Sequence, residues 1–412
     1  MKGILIILDG LGDLPTSQLG DKTPLEAAQT PNMDFFAHRG ELGFMYSVKP
    51  DFIPGSDQAI VSMFGNELSS SSRGQLEARG TDLKIMRGDL TFRTNFACID
   101  SLKDGNIIDR RIRTLTTKEA EKLSSDLNKI DLSCKFIFKP TIQHRGVLVF
   151  KGGFSDNISG NDMAYIQGKS NTNKVGSVKP LDEDENSQYS ANVVNEFLEK
   201  AYNVLKNHEI NQKRIKKGLT PVNYLLVRGP GIEQPKLKFY RKWFSVAYMP
   251  LEIGFSRVSG MKVFSFNYPK LRWFDAYSNL NKGLRKACKF SIKQIKRNHK
   301  KFDYAYIHIK ETDIPGHDNK PVEKKMMIEY IDKTLINFLR KFAPQRNIKV
   351  VITGDHSTPC KLKGHSADPV PVLLYSAKET APKEKRFIER EARTGTLGRI
   401  YGKDLLKKVG FV

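Results

Sequence analysis

The chain has 412 residues, of which 39% are hydrophobic and 27% charged, and this favours a folded protein of two or three units. No apolar run approaches the roughly 18 residues of a membrane-spanning helix, so an integral membrane protein is excluded. The first apolar stretch, Ile4 to Leu8, is too short for a signal peptide. Four separate cysteines, Cys98, Cys134, Cys288 and Cys360, form no Cys-x-x-Cys pair, which indicates a reduced, cytoplasmic compartment.

The formal net charge of +23 is unevenly distributed. Residues 201–300 contain 22 basic and 4 acidic residues, whereas residues 1–66 contain 4 and 8. A basic block of this kind can be a solvated surface, can steer an anionic substrate, or can bind nucleic acid. We favour the solvated surface, with substrate steering second. Nucleic-acid binding comes last, because no recognised nucleic-acid-binding signature accompanies the charge.

Three segments are predicted as central strands of a parallel sheet, because both of their faces are apolar. They are residues 3–8, residues 304–309 and residues 348–354. Each ends in a polar, acid-bearing loop. Ligands bind at the carboxyl ends of strands in open α/β sheets, so these three ends are expected to converge on one site.

Two helical patterns lie around these strands and complete a doubly wound α/β sheet with helices on both faces. Leu280, Leu284, Cys288, Ile292 and Ile295 recur at helical spacing, and the other face of that segment is rich in lysine. We expect this basic helix to pack against the sheet with its lysines outside. Residues 322–342 repeat the apolar pattern.

The middle of the chain breaks this alternation. Ser69–Ser72 is a run of four serines, and residues 152–190 are rich in Gly, Ser, Asn and Asp. Residues 211–219 are expected to form a basic loop. We therefore predict a discontinuous metal-binding catalytic domain at residues 1–70 and 220–412, and an inserted α+β domain at residues 71–219 that binds substrate and acts as a lid.

Seven polar residues at strand ends or turns are candidates for the chemistry: Asp9, Ser56, Asp313, His317, Asp355, His356 and His365. Each alone has an ordinary explanation. An acid after a buried strand often only caps a turn, and Ser56 is well placed as a helix N-cap. Pro315 and Gly316 favour a loop rather than a helical turn for the pair Asp313 and His317.

Taken together, the seven residues predict phosphoryl transfer. Clustered Asp and His side chains bind divalent metals such as zinc, manganese or cobalt. A serine oxygen bound to such a metal becomes a competent nucleophile near neutral pH. A helix N-terminus offers backbone N–H donors to the phosphate that the serine would accept.

These motifs resemble the alkaline phosphatase superfamily and, more narrowly, its archaeal-type cofactor-independent phosphoglycerate mutases. The resemblance covers nearly the whole chain. It rests on segments that include Asp9-Gly10, Pro54-Gly55-Ser56-Asp57, residues 308–318, residues 353–359 and residues 365–371. Matching segments outside the metal motifs are residues 21–34, 79–80, 88–97, 109–111, 144–149 and 225–229.

The resemblance implies an isomerase that interconverts 3-phosphoglycerate and 2-phosphoglycerate through a phosphorylated Ser56, without 2,3-bisphosphoglycerate. It implies two divalent metal ions, manganese first, with zinc, cobalt and magnesium as alternatives. One ion is bound by Asp313, His317 and His365, the other by Asp9, Ser56, Asp355 and His356. In the inserted domain the candidate substrate-binding residues are Arg93, Asn95, Arg110, Arg111 and Arg145, since paired arginines suit a phosphate and a carboxylate.

Two segments depart from the family pattern. In residues 158–164, Asp162 matches the family pattern but its neighbours do not. In residues 265–275 the sequence differs from the family's usual one. Two alternatives therefore stay open. One is a metal-dependent phosphatase or another phosphomutase with the same Ser56, and the other is a basic RNA-binding protein on a retired enzyme scaffold. Neither a membrane nor a nucleic acid is expected as a partner of the mutase.

Overall fold

A computed structural model describes residues 1–68, 72–163, 173–376 and 384–412 of the chain. The strands in chain order are β1 (Gly3–Leu8), β2 (Glu41–Tyr46), β3 (Leu90–Ile99), β4 (Ile107–Asp109), β5 (Phe136–Pro140), β6 (Arg145–Phe150), β7 (Tyr224–Gly231), β8 (Trp243–Val246), β9 (Lys262–Phe264), β10 (Tyr304–Ile309), β11 (Lys349–Gly354), β12 (Val370–Tyr375) and β13 (Gly398–Tyr401). Ser69–Ser71 and residues 164–172, which belong to segments singled out above, lie outside the described residues.

The α-helices in chain order are α1 (Pro24–Ala27), α2 (Pro31–His38), α3 (Ser56–Met63), α4 (Arg73–Arg79), α5 (Thr117–Leu127), α6 (Glu185–Lys206), α7 (Glu209–Lys216), α8 (Pro250–Val258), α9 (Ala276–Asn298), α10 (Asp313–His317), α11 (Pro321–Ile331), α12 (Asn337–Phe342), α13 (Glu389–Arg393) and α14 (Leu405–Lys408). A π-helical turn, Asp332–Ile336, joins α11 to α12. None of these described helices combines the length and the apolar content that crossing a membrane requires.

The larger sheet has eight strands in the order β13-β2-β12-β11-β1-β10-β8-β9. Strand β1 lies between β10 and β11 and is parallel to both, as the apolar runs predicted. Strand β12 is antiparallel to both of its neighbours, so the sheet is mixed.

Helices cover both faces of this sheet, which explains why its central strands are apolar throughout. Alternate residues of β1 point to opposite cores: Ile4, Ile6 and Leu8 pack with α9, α11 and α12, whereas Leu5 and Ile7 pack with α3 and α8. Helix α9 buries Leu280 and Leu284 and exposes its lysines, as predicted.

The smaller sheet is antiparallel and has five strands. Strand β3 pairs with β4, β6 and β7, and β5 pairs with β6. Helices α5 and α6 contribute residues to a separate hydrophobic core against this sheet. Strand β7 follows residue 220 but belongs to this second sheet, so we propose that the inserted domain extends to about residue 232.

Three local predictions were wrong. Residues 211–216 of the expected basic loop belong instead to helix α7, which His208 caps by accepting a hydrogen bond from the Ile210 N–H. Arg214 in that helix is buried and paired with Glu119, so part of the basic block is structural. Gly55, not Ser56, is the N-cap of α3, and Ser56 is its first helical residue.

The third wrong prediction is the loop at Asp313–His317, which is the short helix α10. Pro315 lies in the first turn of this helix. The N–H groups of a first turn have no partner within the helix, so a proline costs little there.

Helices α4 and α8 meet through glycines, and this contact attaches the start of the inserted segment to the larger domain. A Cβ atom at Gly254 would lie 1.8 Å from the backbone oxygen of Leu76, and one at Gly80 would lie 1.8 Å from that of Pro250. Backbone atoms cannot move aside as a flexible side chain can, so the two helices need glycine at both positions.

Replacing Gly254 by alanine is therefore expected to destabilise the fold by about 1–3 kcal/mol, the usual cost of overpacking. Thermal unfolding of the metal-free protein measures this loss. Gly364→Ala is the matched control, because the nearest atom to its Cβ would lie 3.8 Å away. Equal thermal unfolding midpoints for the two variants would show that α4 and α8 are not closely packed at Gly254.

Candidate metal centre and active site

The candidate residues converge because three neighbouring strands end together. Leu8 of β1 is in register with Ile309 of β10 and with Gly354 of β11. The next residues, Asp9, Lys310 and Asp355, therefore leave the sheet side by side. The convergence expected from the three apolar runs is confirmed.

The first group of candidate ligands is Asp313, His317 and His365, whose ligand atoms all lie within 4.8 Å of one another. His317 Nε2 is 3.4 Å from Asp313 Oδ2, and His365 Nε2 is 3.7 Å from Asp313 Oδ1. Helix α10 places Asp313 and His317 four residues apart on one face. This trio is the set that the resemblance assigned to one metal.

The second group surrounds Ser56. His356 Nε2 lies 3.3 Å from Asp9 Oδ1, 3.5 Å from Asp355 Oδ2 and 3.2 Å from Ser56 Oγ. The His356 and His365 rings are stacked with their centroids 3.7 Å apart, so the two groups adjoin. Ser56 therefore stands at the first residue of α3, beside both sets of ligands.

The three imidazoles are oriented by hydrogen bonds at their second nitrogen. Nδ1 of His317 is 3.1 Å from the Lys363 carbonyl oxygen, and Nδ1 of His365 is 2.8 Å from that of Pro54. Nδ1 of His356 is 3.1 Å from the Thr358 hydroxyl, which in turn donates to Asp313 Oδ1. These contacts leave each Nε2 directed at the carboxylates, the arrangement typical of metal-binding histidines.

Burial favours the neutral imidazole, which is the form that binds a metal. It lowers the pKa of His317 to about 3, assisted by the positive charge of Arg111. It also lowers the pKa of His365, next to His356. Burial and the negative charge of Asp355 raise the pKa of Asp9, and the neighbouring Lys310 ammonium offsets only part of that rise.

Several buried polar atoms at the centre lack a hydrogen-bond partner among the described residues: Asp9 Oδ1, Asp355 Oδ2 and His308 Nε2. Asp355 is fully buried, and only its Oδ1 is satisfied, by the Gly10 N–H at 3.0 Å. Buried carboxylates without donors are costly. The donor set of oxygens and imidazole nitrogens fits divalent cations, which would satisfy these atoms.

Two further residues reach the centre that sequence reasoning did not assign. Lys310 pairs with Asp9 and lies 2.8 Å from Glu252 Oε1. His308 lies 3.5 Å from Asp355 Oδ2 and joins Asp9 and Asp355 in a third, fully buried group. The available signal was the run of polar residues at every second position at the end of β10, since these side chains share one face.

The candidate substrate-binding residues lie in two places on the inserted domain. Arg93 and Asn95, neighbours on one face of β3, are hydrogen-bonded at 2.5 Å, and Arg93 also pairs with Glu77 at 3.3 Å. Arg110 is paired with Asp162 through its Nε at 3.0 Å. The retained acid of the altered 158–164 segment therefore has a partner within the domain.

His144 marks the place where the arginines gather. It is buried, and neither ring nitrogen has a hydrogen-bond partner among the described residues. Burial lowers its pKa well below the usual value, and the charges of Arg145, Arg93, Arg113 and Arg111 lower it further. Four arginines near one neutral imidazole form an environment for an anion. The charge of Arg111 also lowers the pKa of His317, so this region adjoins the candidate metal ligands.

Comparison with known families gives two matches along the chain. Residues 37–211 match the model of the 2,3-bisphosphoglycerate-independent phosphoglycerate mutases, and residues 260–409 match that of the metalloenzyme superfamily. The chain is 40% identical to the 2,3-bisphosphoglycerate-independent phosphoglycerate mutase of Pyrococcus abyssi, over 98% of this chain and 96% of that protein. It is 36% identical to that of Methanosphaera stadtmanae, over 98% and 96%.

Two solved structures are similar to this chain over its whole length. A protein from Pyrococcus horikoshii is similar with a TM-score of 0.74 and 30% identity, over 100% of this chain and 98% of that one. The cofactor-independent phosphoglycerate mutase from Thermoplasma acidophilum is similar with a TM-score of 0.55 and 27% identity, over 100% and 99%.

Removing one imidazole should remove one metal. We expect the protein dialysed after loading with manganese to retain two ions per chain, and His317→Ala to retain one, because that variant loses a ligand of the first group. His299→Ala is the control, since that histidine lies at the end of α9 and contacts a backbone oxygen of its own helix. Elemental analysis by mass spectrometry measures the ratio. Full metal content in His317→Ala would refute the ligand assignment.

Proposed function

Because the chain belongs to the 2,3-bisphosphoglycerate-independent phosphoglycerate mutases, we propose that it interconverts 3-phosphoglycerate and 2-phosphoglycerate through a phosphorylated Ser56. The protein is thus an isomerase. The observation that carries the proposed route is the position of Ser56 Oγ, 3.2 Å from His356 Nε2 at the first turn of α3. A phosphate on that oxygen would lie beside the N–H groups of the helix terminus.

We assign two divalent cations to the centre, with manganese as the first candidate and zinc, cobalt or magnesium as alternatives. Asp313, His317 and His365 would bind one, and Asp9, Ser56, Asp355 and His356 the other. Bound there, the cations would lower the pKa of the serine hydroxyl and offset the charge of the phosphoryl group. The unsatisfied atoms of Asp9 and Asp355 support this assignment.

The protein's own side chains would accept the phosphoryl group and bind the substrate. Ser56 Oγ takes the phosphoryl group from the 3-oxygen of the substrate as the bond from phosphorus to that oxygen breaks, and the serine proton passes to the 3-oxygen. The glycerate then turns, its 2-hydroxyl takes the group back from Ser56, and the proton of that hydroxyl passes to Ser56 Oγ. No 2,3-bisphosphoglycerate is needed, because the group stays on the enzyme between the two steps. We propose Arg93, Asn95, Arg110, Arg111 and Arg145 as substrate-binding residues, supported by the arginines around His144.

The inserted domain would act as the lid that excludes water while Ser56 is phosphorylated. All seven candidate metal-binding residues lie in or beside the two ligand groups, which argues against a retired scaffold that only binds RNA. We further propose that the enzyme serves glycolysis and gluconeogenesis in the cytoplasm. Its four cysteines are all unpaired, as expected in a reduced compartment.

Ser56→Ala should abolish formation of 2-phosphoglycerate while the protein stays folded, because no other residue would accept the phosphoryl group. Rapid quench of the wild-type enzyme with labelled 3-phosphoglycerate should place label on Ser56. The control is Ser62→Ala on the same helix. Normal turnover in Ser56→Ala would refute the route, and release of inorganic phosphate in place of 2-phosphoglycerate by the wild-type enzyme would identify a phosphatase.

Arg111→Ala should reduce turnover about tenfold or more, since a charge-assisted hydrogen bond contributes roughly 1.5–3 kcal/mol. Replacing Lys286, Lys289 and Lys293 together by glutamine should change turnover little. These lysines are exposed on α9, so only a modest, salt-sensitive effect on substrate capture is expected. Steady-state kinetics at two salt concentrations compares the variants. An inactive lysine variant beside a normal Arg111→Ala would place the substrate elsewhere.

A further inference from the structure

Asp318, the residue after the metal-ligand candidate His317, joins the two domains. It forms an ion pair with Arg113 Nη1 of the inserted domain. It also accepts a hydrogen bond of 2.8 Å from the Tyr277 hydroxyl at the start of α9. The Lys320 ammonium lies 3.9 Å from the centroid of the Tyr277 ring and borders the same contact.

The contact is made with the helix that carries two metal ligands. Asp318 is the C-cap of α10, and the same Arg113 Nη1 lies 3.5 Å from the Ile314 carbonyl oxygen within that helix. The side chains of Arg113 and Asp318 are only 17% and 25% exposed, so water screens the pair less than it screens a surface ion pair.

Arg113 belongs to a segment that is anchored inside the inserted domain. Ile112, the preceding residue, is fully buried in the core of that domain. Arg111, one residue earlier, lies close enough to His317 for its charge to lower the pKa of that imidazole. When Arg113 is seated on Asp318, the segment that bears Arg111 is therefore placed beside the metal ligands.

We propose that the Arg113–Asp318 pair, braced by Tyr277, holds the inserted domain against α10 and thereby determines which acceptor takes the phosphoryl group from Ser56. This inference rests on the proposed phosphoserine route. In the mutase step the bond from phosphorus to Ser56 Oγ breaks, a bond to the 2-oxygen of glycerate forms, and the hydroxyl proton passes to Ser56. If the domains part, a water molecule takes the group instead, one of its protons passes to Ser56, and inorganic phosphate and free glycerate are released.

Asp318, Arg113 and Tyr277 are positioning residues, because they act through the placement of a domain and touch no reacting atom. A merely structural role would lower all rates together. The positioning role predicts a change in the fraction of phosphoryl groups that pass from Ser56 to water instead of to glycerate. The informative measurement is therefore the ratio of inorganic phosphate to 2-phosphoglycerate formed from 3-phosphoglycerate.

A second ion pair between the domains supplies the control. Lys270 Nζ lies 3.3 Å from Glu121 Oε1 on α5, with side chains 68% and 54% exposed. It joins the 265–275 segment to the inserted domain, beside the hydrogen bond from the Thr117 N–H to the Leu271 carbonyl oxygen at 3.0 Å. Glu121→Gln removes one carboxylate charge across the domain boundary, as Asp318→Asn does, but away from α10.

The experiment measures this ratio for manganese-loaded wild type, Asp318→Asn, Arg113→Gln, Arg113→Lys and Glu121→Gln, with the metal content of each determined in parallel. We expect the ratio to rise about tenfold or more in Asp318→Asn and Arg113→Gln, given the strength of a charge-assisted pair. Arg113→Lys keeps the charge of the pair but not the guanidinium geometry, so its ratio should rise less than that of Arg113→Gln. The ratio of Glu121→Gln should stay near that of the wild type.

An unchanged ratio in both Asp318→Asn and Arg113→Gln would overturn the inference, including the case in which Asp318→Asn loses metal and slows without shifting the ratio. An equal rise in Glu121→Gln would also overturn it, because any loosening of the domains would then suffice. The failure of the proposed function is distinct: a wild-type enzyme with no label on Ser56 contradicts the phosphoserine route before any variant is compared, and the inference falls with it.

Discussion

The structure depends on one electrostatic constraint, the burial of several carboxylates at the shared end of three parallel strands. Asp9 and Asp355 are 2% and 0% exposed, and each retains an oxygen without a hydrogen bond among the described residues. The Lys310 ammonium is paired with Asp9. Since unpaired buried charge is costly, further positive charge would stabilise this arrangement, and the imidazoles around it offer ligand nitrogens.

The rest of the fold positions residues at this centre. The strands must be apolar on both faces to run through the core, and they place their polar residues only where they end. Backbone oxygens of Lys363 and Pro54 orient two of the imidazoles, so loops far apart in sequence are joined at the centre. The inserted domain brings arginines close to the same place, and it contacts α10, the helix of Asp313 and His317, through Arg113.

Much of this was predictable from the sequence because the signals were local and strong. The three central strands follow from continuous apolar runs, and the basic helix from apolar residues every three or four positions. The loop at Asp313 was predicted wrongly because Pro315 was taken as a helix breaker, although a first turn tolerates it. The basic stretch after residue 208 was predicted wrongly because its helix depends on the His208 cap and on the burial of Arg214 against Glu119.

Other features depend on tertiary contacts that no local pattern reveals. The pairing of β7 with β3 moves a strand across the predicted domain boundary, and the partners of Asp318 come from α9 and from the inserted domain. Lys310 and His308 likewise lie beside Asp9 because of the register of β10 against β1, which the sequence of β10 alone does not reveal.

Anomalous X-ray diffraction from manganese-loaded crystals locates each cation without reference to activity. We expect two anomalous peaks, one within bonding distance of Asp313, His317 and His365 and the other within bonding distance of Asp9, Ser56, Asp355 and His356. A single peak, or a second peak that leaves Asp9 and Asp355 without a cation, would contradict it.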